Sequence, residues 1–161
     1  MMDFSNIKLI ISEVDGIVTD GVALMGEANI PIGKYFCLSD FQAINNIKKK
    51  YGFAFLSIDA GISLSTCRRR NIPFFLAEKD KEHVYMNIVD RYRVTSENVL
   101  YVGCSYSDLV CIQRSGFSAC PEDAVIQVKN TVNTVLPVYG GSGVLSYLYD
   151  MLYDFNTKVR D

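Results

Sequence analysis

The stretch IKLIISEVDGIVTDG, residues 7–21, decides the fold of this chain of 161 residues. Its first half is a run of isoleucine and leucine with the length and composition of a buried β-strand. The run leads directly into an acidic loop that carries Glu13 and Asp15 two positions apart, followed by Thr19. Because open α/β sheets place their functional groups at the carboxyl ends of their strands, the two carboxylates predict a site at the end of the first strand.

The rest of the sequence alternates between strand-like and helix-like segments, in addition to the first strand at about residues 7–13. Apolar runs predict further strands at 53–57, 72–76, 98–102 and 117–120. Helical spacing of apolar residues predicts helices at 40–52, 61–70, 79–92, 106–114, 121–128 and 143–155. The first of these helices is expected to begin with Asp40 as its N-cap and to end at Gly52. This alternation predicts a single α/β domain over residues 1–161, with a mostly parallel sheet flanked by helices.

Residues 22–37 predict a β-hairpin. Two extended segments, 22–25 and 34–37, flank a turn at 26–29. Val22, Leu24, Tyr35 and Phe36 would give the hairpin an apolar face. An exposed apolar face on a small domain is typical of an interface, although the hairpin could instead fold back onto its own core.

The composition excludes several classes of function. The formal net charge is −2, so there is no basic excess to bind nucleic acid. No apolar run approaches the roughly 20 residues of a membrane span, and the first residues, MMDFSNIK, do not resemble a signal peptide. The cysteines number five and form no CxxC pair, which is typical of a reduced, cytoplasmic chain.

The segment EVDGIVTDG, residues 13–21, resembles the opening motif DVDGVLTDG of a family in the haloacid dehalogenase superfamily. This family comprises the uncapped 3-deoxy-D-manno-octulosonate 8-phosphate phosphatases and the related domain of acylneuraminate cytidylyltransferases. Four further segments extend the resemblance over nearly the whole chain: FAFLS at 53–57, EKDK at 78–81, VGCSYSD at 102–108 and GGSG at 140–143. The resemblance implies a Rossmann-like fold without a cap domain, and a homotetramer assembled through the hairpin at 22–37. It also implies a sugar phosphate or an acidic sugar as ligand.

The resemblance also implies a role for individual residues. In the family, the first acid of the opening motif attacks phosphorus and the second acts as acid and base. The implied catalytic residues are Glu13, Asp15, Ser57 and Lys81. Those implied to contact phosphate or substrate are Thr19, Asp40 and Gly141. The implied metal ligands are Glu13, Asp15, Cys104 and Asp108. Ser57 also fits a residue that merely ends a strand, and Lys81 also fits a solvated charge at the start of a helix.

The motifs depart from the family pattern where the chemistry lies. The family has Asp at the nucleophile position, occupied here by Glu13, and Asp at a metal-ligand position, occupied here by Cys104. The extra methylene of Glu13 displaces the carboxylate by about 1 Å, which can cost on the order of 100-fold in rate. Mg²⁺, the cofactor of the family, prefers oxygen ligands, so Cys104 argues against its binding here and would suit Zn²⁺ better. The C-terminal Arg of the family pattern falls at Ser146.

These departures predict a phosphatase fold whose catalysis is lost or very slow, and which acts as a binding or assembly module. The alternative is an active Mg²⁺-dependent phosphatase that hydrolyses a 3-deoxy-2-keto sugar acid phosphate, with Glu13 as an unusual nucleophile. Turnover and metal content distinguish the two.

Overall fold

A computed structural model describes residues 3–158 of the chain. The strands are β1 (Leu9–Ser12), β2 (Thr19–Met25), β3 (Pro31–Phe36), β4 (Gly52–Ser57), β5 (Phe74–Leu76), β6 (Val99–Val102), β7 (Phe117–Pro121) and β8 (Thr134–Leu136). The helices are α1 (Leu38–Ile47), α2 (Gly61–Arg69), α3 (Lys81–Arg91), α4 (Leu109–Arg114), α5 (Ile126–Lys129) and α6 (Val144–Lys158). Short 3₁₀ turns lie at Ser96–Asn98 and Tyr106–Asp108.

The main sheet is parallel throughout, in the order β5-β4-β1-β6-β7-β8. The chain first builds outward from β1 through β4 and β5, then returns to the other side of β1 to add β6, β7 and β8. The strand order therefore reverses between β1 and β6, and a crevice opens at the carboxyl ends of these two strands. The predicted α/β class and parallel sheet are confirmed.

The sheet is buried on both faces, which explains why its strands are apolar without alternation. On β1, Ile10 packs into the core shared with α1 and α6, whereas Leu9 and Ile11 pack into the core shared with α3 and α4. Helix α6 presents an apolar stripe to the first of these cores, formed by Val144, Leu145, Leu148 and Leu152. Within residues 3–158, every helix is too short or too polar to cross a bilayer.

The hairpin forms a separate antiparallel pair, β2 and β3, in which Ala23 lies opposite Lys34. Strand β2 begins at Thr19, three residues earlier than expected, because the acidic loop turns directly into it. Val22, Leu24 and Tyr35 are 63%, 62% and 79% exposed. Phe36, by contrast, packs against Phe41 of α1. Most of the apolar face of the hairpin is therefore not covered by the domain's own core.

Helix α1 begins and ends earlier than the sequence pattern indicates. Cys37 is its N-cap, so the prediction that Asp40 caps this helix is wrong, and Asp40 lies buried in the first turn. The helix ends at Ile47, and Gly52, expected to end it, starts β4. A glycine is needed at position 52 for steric reasons, since a Cβ there would lie only 2.8 Å from the ring of Tyr92.

The region after β7 also differs from the expected helix at 121–128. Pro121 is the last residue of β7 and pairs with Leu136 of β8, a strand of three residues that the sequence pattern did not reveal. Only residues Ile126–Lys129 are helical here. Proline favours the first turn of a helix, but sheet pairing determines the structure at this position.

Candidate active site

The carboxyl ends of β1, β4 and β6 meet at one pocket. Its lining includes four of the residues that the sequence implicates, Glu13, Asp15, Ser57 and Cys104. Asp59 also lines this pocket. The structure therefore brings together residues that are up to 91 positions apart in the sequence, as expected for loops that follow neighbouring parallel strands.

Beneath the pocket, Lys81 joins two buried carboxylates. Its ammonium group donates to Glu13 Oε2 and to Asp108 Oδ1, the latter at 2.6 Å. Asp108 is fully buried, and it also accepts a hydrogen bond from the hydroxyl of Tyr101 at 2.6 Å. Lys81 is 7% exposed, so its interpretation as a solvated charge at a helix start is wrong.

The electrostatics of this cluster follow from burial and pairing. Burial opposes ionisation of Asp108, but Lys81 and the hydrogen bond from Tyr101 hold the pKa of its carboxyl below the usual value. Burial likewise opposes the charge on Lys81, and the two carboxylates outweigh it and raise the pKa of the ammonium group. The pKa of Glu13 is raised, mainly because burial outweighs the attraction of Lys81. Lys81 is therefore a fixed internal cation.

Both carboxylate oxygens of Glu13 are already hydrogen-bonded. Oε1 accepts the backbone N–H of Val14 at 2.8 Å, and Oε2 accepts Lys81. The residue is 4% exposed. The carboxylate at the nucleophile position lines the pocket and is at the same time held by hydrogen bonds within the protein.

Asp15 is held by two residues of the hairpin. Thr19 donates to its Oδ1 at 3.1 Å, and the ammonium group of Lys34 lies 2.7 Å from its Oδ2. Lys34 also donates to Asp59 at 2.8 Å and to Ser63 at 3.3 Å. Burial opposes the charge on Lys34, but the bonds to Asp15 and Asp59 raise its pKa. Sequence reasoning missed Lys34; the available signal was a single lysine in an otherwise uncharged strand.

The acidic loop is built around Gly16 and Thr19. Gly16 has φ +80°, a left-handed conformation that favours glycine. The hydroxyl of Thr19 accepts the backbone N–H groups of Gly16 and Gly21, at 3.3 and 3.1 Å. Thr19 therefore fixes the loop and orients Asp15, and is itself fully buried.

Cys104 occupies the position at which the family motif has a metal ligand. Its thiol donates to the backbone carbonyl of Asp15 at 3.2 Å, and burial raises the pKa of that thiol well above its usual range. A neutral, hydrogen-bonded thiol is a poor ligand for Mg²⁺. Within residues 3–158, no three His, Cys, Asp or Glu side chains are grouped as a metal site. The residues present do not fit Mg²⁺.

The other implicated residues lie around the pocket in different roles. Ser57 lines it and is buried, with its hydroxyl accepting the backbone N–H of Asp59 at 3.4 Å. Asp40 does not line it; its Oδ1 accepts the backbone N–H and hydroxyl of Ser146, at 2.8 and 2.9 Å, at the start of α6. Gly141 supports the acidic loop from behind, donating its N–H to Ile17 at 2.8 Å.

Comparison with known proteins defines the class. No family model matches the chain. The cobalt-bound deoxy-D-mannose-octulosonate 8-phosphate phosphatase of Haemophilus influenzae has a TM-score of 0.89 and 31% identity, over 96% of this chain and 92% of that one. A structure of the Moraxella catarrhalis phosphatase with magnesium, phosphate and KDO has a TM-score of 0.86 at 17% identity, over 98% and 94% of the two chains, a likeness of fold alone. The protein is a haloacid dehalogenase-type α/β protein.

Sequence similarity identifies the family within that class. The 3-deoxy-D-manno-octulosonate 8-phosphate phosphatase of Haemophilus influenzae is 31% identical over 95% of this chain and 86% of its own length. The Escherichia coli K12 protein of the same name is 23% identical over 91% of this chain and 79% of its own length. This chain belongs to the 3-deoxy-D-manno-octulosonate 8-phosphate phosphatase family. The resemblance predicted from the motifs is confirmed at this level.

Proposed function

We propose that the pocket binds a sugar phosphate or an acidic sugar, and that hydrolysis is lost or very slow. The observation that carries the proposal is that the side chains of Glu13 and Cys104 are engaged in hydrogen bonds within the protein. Both oxygens of Glu13 are occupied by Val14 and Lys81, and the thiol of Cys104 is bonded to the carbonyl of Asp15. A nucleophile must present an oxygen to phosphorus in line with the leaving group. We infer that Glu13, which is 4% exposed and one methylene longer than the Asp of the family, does not reach that position.

The charges around the pocket support the same conclusion. Four carboxylates, those of Glu13, Asp15, Asp59 and Asp108, share two ammonium groups, those of Lys34 and Lys81. With all four acids ionised, an incoming phosphate meets an excess of two negative charges; with Asp15 protonated, as its role as an acid requires, it meets an excess of one. Electrostatic stabilisation is usually the largest catalytic contribution, and a divalent metal would normally provide it. The residues here do not supply that metal site, so we propose no working Mg²⁺ cofactor.

The experiment compares the natural chain with a variant that carries Glu13→Asp and Cys104→Asp. Phosphate release from 3-deoxy-D-manno-octulosonate 8-phosphate and from 4-nitrophenyl phosphate is measured with and without Mg²⁺. We expect turnover by the double variant that depends on Mg²⁺ and exceeds that of the natural chain by at least about 100-fold. Addition of Asp15→Asn to the double variant is the control, and should abolish that turnover.

Retention of Asp15, Lys81 and Asp108 supports a second candidate function, an active phosphatase acting on a 3-deoxy-2-keto sugar acid phosphate. The names of the relatives point to the same class of substrate. Mg²⁺-dependent turnover by the natural chain in the same assay would favour this function and overturn the first. Calorimetric titration of the sugar phosphate into the natural chain then tests binding separately from turnover.

We further propose that the hairpin assembles the protein into a homotetramer. Five apolar side chains of the hairpin are each at least 61% exposed: Val22, Leu24, Ile30, Ile32 and Tyr35. Apolar side chains exposed in this number on one hairpin are typical of an interface. A second copy of the chain, with the same patch, is the partner that a symmetric interface requires.

A further inference from the structure

Lys34 connects the hairpin to the pocket. It lies on β3, outside the main sheet, yet its side chain is only 5% exposed. Its ammonium group reaches two pocket carboxylates from different loops, Asp15 after β1 and Asp59 after β4. A lysine ammonium group is seldom buried away from solvent unless its charge is compensated. Here two carboxylates and the hydroxyl of Ser63 replace the water molecules that would otherwise solvate it.

Asp15 is consequently clamped from both strands of the hairpin. Thr19, the first residue of β2, donates to one carboxylate oxygen, and Lys34 of β3 donates to the other. A carboxylate with both oxygens bonded has little freedom to rotate. Asp15 itself is still 30% exposed at the pocket, so its carboxyl group is fixed but accessible.

We propose that Lys34 is a positioning residue, which orients Asp15 toward the leaving group and compensates the charge that Asp15 gains when it gives up a proton. The inference rests on the proposed function and on the role of Asp15 as acid and base, which the family resemblance implies. Hairpin and pocket then form one functional unit. No motif identifies Lys34, because its role depends on how the hairpin lies against the sheet.

The chemical step can be written for the double variant with Asp at position 13. The carboxylate at that position forms a bond to phosphorus while the phosphorus–oxygen ester bond breaks. The leaving oxygen takes the proton of Asp15, which becomes a carboxylate beside Lys34. That carboxylate then takes a proton from the water that attacks phosphorus, so inorganic phosphate leaves and both acids return to their starting states.

The leaving group provides a test that a merely structural role would not pass. A sugar alkoxide needs a proton to leave, whereas 4-nitrophenolate does not. In the double variant, Lys34→Met should lower kcat for 3-deoxy-D-manno-octulosonate 8-phosphate on the order of 100-fold, with less effect on KM. It should leave the single-turnover rate of 4-nitrophenolate release nearly unchanged, because that step needs no proton from Asp15. Lys34→Arg, which keeps the charge, should restore part of the loss. Lys129→Met, at an ion pair with Glu122 outside the pocket lining, should change neither rate. An equal loss in kcat for the sugar phosphate and in the rate of 4-nitrophenolate release would overturn the proposal.

A second measurement does not depend on turnover. In the natural chain labelled with ¹³C, the carboxyl resonance of Asp15, identified by its disappearance in Asp15→Asn, should shift in Lys34→Met and stay in place in Lys129→Met. An unchanged resonance would overturn the proposal even if the double variant has no activity. If the resonance shifts while the double variant is inactive, the contact between Lys34 and Asp15 is supported. The proposal that fails is then that the residues at positions 13 and 104 alone account for the loss of hydrolysis.

Discussion

At the scale of single residues, Lys81 stabilises the two buried carboxylates beneath the pocket. Its one positive charge lies between the buried carboxylates of Glu13 and Asp108. Lys81→Met would leave both carboxylates buried without a counter-ion, so we expect the free energy of unfolding to fall by about 3–5 kcal/mol. Urea unfolding measures this loss. The control is Lys129→Met, which removes a surface ion pair with Glu122 and should have little effect; equal urea midpoints for the two variants would contradict the prediction.

Asp40 provides a prediction about pH. Burial raises the pKa of its carboxyl, with the hydrogen bonds from Ser146 opposing, and its Oδ2 has no partner within residues 3–158. An acid whose pKa is raised by folding binds its proton more tightly in the folded state. Its contribution to stability is therefore present at low pH and is lost as pH rises through the folded-state pKa. The unfolded-state value is 3.8, so this loss begins at about that pH.

Asp40→Asn removes this group while keeping an oxygen that can accept the N–H of Ser146. Compared with the natural chain, the variant should therefore gain in free energy of unfolding as pH rises from 4 to 7. Urea unfolding at several pH values measures the difference, with exposed Asp150→Asn as the control. A difference that is constant with pH would show that the burial of Asp40 carries no such cost.

The sequence predicted much of the site at this scale, but not all of it. Residues within motifs, such as Glu13, Asp15 and Cys104, do line the pocket, because each follows a strand of the parallel sheet. Asp40 lies elsewhere, since its partner Ser146 is 106 positions away and no local pattern connects the two. Lys34 was missed for the same reason. Its contacts depend on the placement of the hairpin, which pairing patterns within the hairpin do not determine.

At the scale of elements, the loop before α6 supports the acidic loop. Gly141 has φ +73°, and a Cβ there would lie 2.6 Å from the backbone nitrogen of Asp20. We expect Gly141→Ala to lower the free energy of unfolding by about 1–3 kcal/mol. The alanine would be strained at this positive φ, and its Cβ would clash with backbone atoms of the acidic loop, which cannot move as a flexible side chain could. Gly33→Ala is the matched control, because Gly33 has no positive φ and its Cβ would meet Leu24 at an ordinary 3.8 Å. Thermal unfolding that shows equal losses in both would contradict the prediction.

The elements that the sequence predicted best are those with long, regular patterns. Helix α3 lies inside its expected range, and α6 extends three residues beyond its own. The failures are short elements whose structure depends on distant partners. Strand β8 has only three residues, and its pairing with β7 also keeps Pro121 out of a helix. Local preference decides long elements, whereas tertiary pairing decides short ones.

At the scale of the whole molecule, the exposed apolar hairpin predicts the state of assembly. Tyr35 is 79% exposed on the hairpin, and Tyr153 is 55% exposed on α6. The same substitution at Tyr153 is therefore a suitable control for one at Tyr35. We expect the natural chain and Tyr153→Lys to elute as tetramers, because α6 lies outside the proposed interface. Tyr35→Lys should elute as a monomer, since it places a charge in that interface. Size-exclusion chromatography with light scattering measures the mass directly.

Successive residues of a strand point to opposite faces, so Tyr35 faces away from the domain while its neighbour Lys34 faces the pocket. Tyr35 of the proposed interface and the clamp on Asp15 therefore lie on opposite sides of one strand. A folded Tyr35→Lys monomer that keeps the Asp15 carboxyl resonance of the natural chain would show that the clamp holds without assembly. A natural chain that is already monomeric would contradict the proposed interface and leave the clamp unaffected, because Lys34, Asp15 and Thr19 belong to the same chain.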